Sequence, residues 1–95
     1  MKIRKSREVI KTLQKKGFQL NPNKKHHKFY YLTINGKKTD IYTYFSHSID
    51  DLDNKLLSSI KSQLKFISHL EFENFLDCPL TLDMYLDILK RDNFL

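Results

Sequence analysis

Residues 24–31 read KKHHKFYY and bring lysines, histidines and aromatic residues together within one short segment. Another histidine, His47, lies further along the chain between two serines. Cleaving RNA without a metal requires a base for the 2′-OH proton, an acid for the leaving 5′-oxygen and positive charge on the phosphate. Histidine exchanges protons near neutral pH and lysine holds phosphate, so these residue types indicate either phosphodiester chemistry or the basic rim of a small sheet.

Six residues make up the candidate site. We expect two histidines to transfer protons, three lysines to hold phosphate and one tyrosine to stack on an unpaired base. In that order they are His26 and His47, then Lys24, Lys25 and Lys28, then Tyr30. Each also has a structural interpretation, because strand histidines and lysines are most often solvated surface and strand tyrosines most often pack within the sheet.

Neither a metal nor a cofactor is expected. Neighbouring strand histidines such as His26 and His27 point to opposite faces, and no cysteine or carboxylate lies beside them at ligand spacing. With only two glycines, the chain has no phosphate-binding or dinucleotide-binding glycine loop. The single cysteine, Cys78, allows no internal disulfide and favours a reducing compartment, so we expect a soluble cytoplasmic protein without signal peptide or membrane segment.

A β-hairpin is the strongest local prediction. Residues 26–34 and 37–45 are rich in aromatic and β-branched types, and Asn35-Gly36 between them is a preferred two-residue turn. Uninterrupted pairing from Ile34 and Lys37 places four pairs across the hairpin: Leu32 with Thr39, Tyr30 with Ile41, Lys28 with Thr43, and His26 with Phe45. His47 then falls roughly 7–8 Å from residues 24–26, within reach of the same phosphate.

Alternation divides the hairpin side chains between two faces. One face carries His26, Lys28, Tyr30, Leu32, Ile41 and Phe45; the other carries His27, Phe29, Tyr31, Tyr42 and Tyr44. Both sets are partly apolar, so periodicity leaves open which face meets the helices.

Four helices are predicted around this hairpin. The first begins at an N-capping Ser6 and ends at Gly17, and the second begins at Ser48 or at Asp53. Ser68 with Glu71, and then Thr81, mark the starts of two further helices. A short strand before the hairpin completes the order helix, strand, strand, strand, helix, which predicts an α+β two-layer domain with a three-stranded antiparallel sheet plus two C-terminal helices.

Charge is unevenly distributed along the chain. Residues 1–65 contain fifteen Lys/Arg and five Asp/Glu, giving +10, whereas residues 66–95 contain two and six, giving −4, for a total of +6. A basic body attracts polyanions, of which nucleic acid is the commonest inside cells. The acidic segment is expected to be a scaffold, a protein-facing surface or a cover for the second sheet face.

Residues 6–66 resemble the HicA toxins of toxin–antitoxin systems, through SREVIKTLQKKGF, KKHHKFYY, the SH at residues 46–47 and LLSSIKSQL. The resemblance implies a fold like that of double-stranded-RNA-binding domains (dsRBDs), mRNA cleavage by a histidine at the start of the second strand, and neutralisation by a HicB-like antitoxin. The matching histidine is His26.

The family motif, roughly Gly-Ser-His-His-x-Phe, becomes Lys24-Lys25-His26-His27-Lys28-Phe29 in this chain. Replacement of the Gly-Ser pair by lysines keeps a second hypothesis open, a non-catalytic RNA-binding or protein-interaction module on the same fold.

From the extent of the resemblance, residues 1–66 are predicted to form the HicA-like domain, and residues 67–95 a helical extension packed on it.

Overall fold

The computed structural model describes residues 2–21, 27–46, 49–77 and 79–95, and this part of the chain forms an α+β domain. A three-stranded antiparallel sheet and a separate two-stranded antiparallel pair accompany four helices within the described residues. In chain order the elements are β1 (Arg4–Lys5), α1 (Ser6–Lys15), β2 (Phe18–Asn21), β3 (His27–Ile34), β4 (Lys37–Ser46), β5 (Asp51–Leu52), α2 (Asn54–Gln63), α3 (His69–Leu76) and α4 (Leu82–Arg91).

The start of α1 differs from the prediction. Lys5, not Ser6, is the N-cap residue, and it makes no capping bond through its side chain. The Ser6 hydroxyl instead donates to the carbonyl of Ile49 at 2.9 Å, and its backbone N–H donates to the carbonyl of Asp50 at 2.8 Å. The expected cap was wrong because β1 pairs with β5, which brings the segment before α2 alongside the start of α1 and offers Ser6 non-local acceptors.

The other helix boundaries follow local sequence signals. Gly17 adopts the left-handed conformation that ends α1, with φ of 87°. Helix α2 uses the later of its two predicted starts, because the Asp53 side chain accepts from the N–H of Leu56, whereas Ser48 lies outside the described residues. Ser68 and Thr81 cap α3 and α4 as predicted, each accepting from a backbone N–H three residues further on.

The hairpin turn is confirmed, but the register beyond it is not. Asn35 and Gly36 both have positive φ, and Ile34 faces Lys37 as expected. A bulge then inserts two extra residues into β4, so Tyr31 faces Tyr42 and each later pair is shifted by two positions. Because two is one full period of a strand, the predicted division of side chains between the faces survives the shift.

A single hydroxyl stabilises the bulge. Thr39 Oγ1 donates to the carbonyl of Leu32 at 2.8 Å and accepts from the N–H of Ile41 at 3.2 Å. The predicted opposition of Tyr30 and Ile41 was wrong because the two extra residues in β4 place Thr43 opposite Tyr30.

One face of the sheet builds the core. Tyr30, Leu32, Ile41 and Phe45 are buried there in a cluster shared with α1 and α2. One interpretation of the acidic segment was that it covers the second face of the sheet. Residues 67–95 instead extend the core cluster. Their fully buried members are Phe72, Phe75, Tyr85 and Leu89.

Basic side chains of the body bind this C-terminal segment. Arg4 is ion-paired with Glu73 and, at 2.7 Å, with Asp77. The buried Lys16 donates to the carbonyl of Phe75, near the end of α3, and lies over the ring of the same residue. The body and the C-terminal helices are therefore joined by both apolar and polar contacts.

Candidate functional site

The predicted site residues divide into two groups. Lys24, Lys25, His26 and His47 lie outside the described residues. Lys28 and Tyr30 lie in β3, where their surroundings are defined.

Tyr30 lies in the core. Its side chain is only 4% exposed, its ring packs edge-on against Phe45 at 5.9 Å, and burial raises the pKa of its phenol. A base cannot reach the face of a ring held in this way, so the stacking role expected of Tyr30 does not fit the structure. Alternation assigned the residue to the correct group of side chains, but only packing shows that this group is the inner one.

Lys28 is half-buried at the end of the sheet and faces Phe45 rather than the predicted Thr43. Among the described residues it forms no ion pair. Its position is compatible with the phosphate-binding role expected from the sequence.

The two predicted catalytic histidines are sequence neighbours of the last described residue pair of the hairpin. The last described pair of the β3–β4 ladder joins His27 and Ser46. His26 directly precedes this pair and His47 directly follows it in the sequence. The expected opposition of His26 and Phe45 was wrong because the bulge moves Phe45 opposite Lys28.

The face of the sheet that points away from the helices is rich in aromatic side chains; this outer face comprises His27, Phe29, Tyr31, Tyr42 and Tyr44. Phe29 and Tyr44 stack at 5.1 Å, and Tyr31 and Tyr42 lie 5.0 Å apart at 31°. These distances are typical of offset stacking, so the rings already cover parts of one another's faces.

Both ends of this aromatic row are in contact with polar side chains. Lys38 Nζ lies 4.5 Å from the centre of the Tyr31 ring. At the other end, the exposed His27 packs edge-on against Tyr44 at 5.3 Å. The outer face therefore combines exposed aromatic surface with basic groups.

A groove of about 170 Å³ lies beside this end of the hairpin, between β4 and α2. Apolar side chains of Ile49, Leu52, Leu56 and Ile60 line part of it. Its polar and aromatic lining comes from His27, Tyr44, Phe45, Ser46, Ser59 and Gln63.

Two residues beside this groove were missed by the sequence reasoning. Thr43 is fully buried, and its hydroxyl donates to Gln63 Oε1 at 2.5 Å, which links β4 to α2. A signal for Thr43 was present, because alternation places it on the same face as Ile41 and Phe45, and a polar group on an apolar face requires a partner. Nothing in the local sequence identified Gln63 as that partner.

No group of three or more metal-ligating side chains occurs among the described residues. Over the same part of the chain, no helix has the length and apolar character needed to cross a bilayer.

Comparison with known proteins adds no relative: no family model matches this chain, and searches of curated proteins and of solved structures likewise return no match.

Proposed function

We propose that this protein is a HicA-like, metal-independent endoribonuclease that acts on mRNA and is neutralised by a HicB-like antitoxin. The observation that carries the proposal is the end of the β3–β4 ladder, where the paired residues His27 and Ser46 are the direct chain neighbours of His26 and His47. In this proposal His26 is the principal proton-transfer group and His47 the second.

The arrangement of elements supports a fold related to dsRBDs. Helix α1, the antiparallel sheet β2-β3-β4 and helix α2 follow one another in the order that the resemblance implies. Both helices contribute to the core on one face of the sheet, and the other face is left partly exposed. The β1–β5 pair and the helices α3 and α4 are additions to that plan.

Free positive charge near the hairpin supports RNA as the substrate. Lys28, Lys37 and Lys38 form no ion pair among the described residues, so their charge remains available to phosphate. Lys24 and Lys25 add two further cations in the segment that leads into β3.

Cleavage of RNA by purified protein, with and without a chelator, tests the proposal. We expect cleavage to survive the chelator and His26→Ala to slow it by about 10²–10⁴-fold, the usual contribution of a general acid or base. His47→Ala is expected to lower the rate by a smaller factor. His69→Ala is the matched control, because His69 lies on α3, outside the motif. Equal rates for His26→Ala and the parent would refute the assignment.

A non-catalytic RNA-binding module is the second candidate, and the replacement of Gly-Ser by Lys24-Lys25 favours it. RNA affinity that falls steeply with salt, without cleavage at any pH, would support this candidate. A protein-interaction role for the acidic segment is best tested by substituting the exposed Leu70 and Met84 and measuring partner binding. Removing residues 67–95 would be a poorer test, because it would also remove fully buried core side chains.

A further inference from the structure

The groove between β4 and α2 is small and chemically mixed. Its volume of about 170 Å³ is well below the roughly 300–1,000 Å³ of pockets that hold drug-sized ligands. An apolar lining with a few polar groups suits one aromatic ring that carries hydrogen-bonding atoms. A single-ring pyrimidine base meets that description.

The amide of Gln63 has a defined orientation in this groove. Because Gln63 Oε1 accepts from the buried Thr43 hydroxyl, the amide NH₂ is the group that can donate to a ligand. His27 adds a further side chain that can donate at the same groove. A base edge with carbonyl acceptors is therefore matched better than one with an exocyclic amine.

Tyr44 offers a surface for the base, and α2 offers a path for the backbone. The Tyr44 side chain is 42% exposed and lines the groove. Lys55, Ser58 and Ser62 are exposed on the adjoining surface of α2, next to Ser59 and Gln63. A base held against Tyr44 would leave its phosphate close to these hydroxyl and ammonium groups, which are common phosphate partners.

We propose that this groove binds one unpaired uracil of the RNA, with the Gln63 amide donating to O4 of the base, the position where cytosine carries an amine. The proposal rests on the proposed RNA-binding function and adds a base preference to it. The base must be unpaired, because pairing would occupy the edge that Gln63 reads.

Binding of 2′-O-methyl oligouridylate and oligocytidylate of equal length tests the proposal, since the blocked 2′-oxygen prevents cleavage. We expect the parent protein to bind the uridine oligomer about tenfold more tightly, as one well-placed base contact allows. Gln63→Glu should shift the preference toward cytidine, because a carboxylate accepts from the cytosine amine. Thr43→Val should reduce the preference by releasing the amide.

Lys55→Ala is the control, expected to weaken both oligomers equally because it concerns phosphate rather than base. Equal affinities for the two oligomers in the parent, or a ratio unchanged by Gln63→Glu, would overturn the groove proposal while leaving RNA binding intact. Absence of binding to either oligomer would overturn the RNA-binding function itself and the groove proposal with it.

Discussion

The two sides of the three-stranded sheet differ in how completely their side chains are buried. On the inner side, Phe18 packs against Phe75 and Tyr85, and the Tyr85 hydroxyl donates to the carbonyl of Leu64 at 2.7 Å. On the outer side, Tyr42 and Tyr44 remain 38% and 42% exposed. The inner side is thus covered by other parts of the same chain, whereas the outer side leaves aromatic surface accessible to a ligand.

The charges follow the same division. Acidic groups of the C-terminal segment pair with Arg4 on the body, whereas the hairpin lysines form no ion pair among the described residues. The acidic segment therefore neutralises part of the body at the helical layer and leaves the hairpin positively charged. Substitutions on the inner side should change stability, and substitutions on the outer side should change binding.

The largest expected loss of stability comes from Phe75→Ala. Phe75 is fully buried and contacts the rings of Phe18, Phe66 and Tyr85, so its removal leaves a cavity. We expect a decrease of about 3–5 kcal/mol in the free energy of unfolding, measured by denaturant titration. Phe94→Ala is the control, because Phe94 is 42% exposed. Equal losses for the two variants would contradict the assignment of Phe75 to the core.

A smaller, pH-dependent loss is expected from Arg4→Met. The variant removes the partner of Asp77 and leaves Glu73 with only the more distant His69, so we expect about 1–3 kcal/mol of destabilisation at neutral pH. The hydrogen bond from Arg4 holds the pKa of Asp77 below its ordinary value, so this stabilisation is present above the unfolded-state pKa of about 4 and is lost as pH falls through the folded-state pKa.

Unfolding of the parent and Arg4→Met at several pH values measures this linkage. The difference between the two proteins should narrow on acidification. Lys5→Met serves as the control, since both side chains of its pair with Asp51 are exposed and the pair is screened by solvent. A difference that stays constant or grows toward low pH would contradict the role given to Arg4.

The smallest effect on stability is expected for the outer side. The double variant Lys37→Ala with Lys38→Ala should change the unfolding free energy by no more than about 0.5 kcal/mol, because both side chains are exposed. Its RNA affinity should depend less on salt, with the logarithmic slope reduced by about 0.7 for each lost phosphate contact. Lys90→Ala, on the exposed surface of α4, should leave that slope unchanged.

Local chemistry predicted most of the elements. Turns and helix ends depend on backbone preferences or on side-chain bonds between near neighbours in the sequence, so the local sequence suffices to place them. The residues that mark them are Asn35-Gly36, Gly17, Asp53, Ser68 and Thr81. The expected cap at Ser6 failed because its partners lie more than forty residues away, on the segment before β5.

Of the candidate site, Lys28 and Tyr30 were correctly assigned to one face, but the pattern did not reveal that this face is buried. Both faces of the hairpin carry aromatic residues, and burial depends on where α1, α2 and the C-terminal helices pack. Gln63 escaped attention because its partner Thr43 lies twenty positions earlier, on a different element.

The amino-acid sequence alone determined the turn, most helix ends, the alternation of side chains and the uneven charge, since each depends on residues close together in the chain or on composition. Tertiary contacts determined the shifted register, the buried face and the groove beside Gln63. The register depends on the bond between Thr39 and Leu32 across the hairpin, and the groove on the bond between Thr43 and Gln63, whose geometry exists only when the sheet and α2 have assembled.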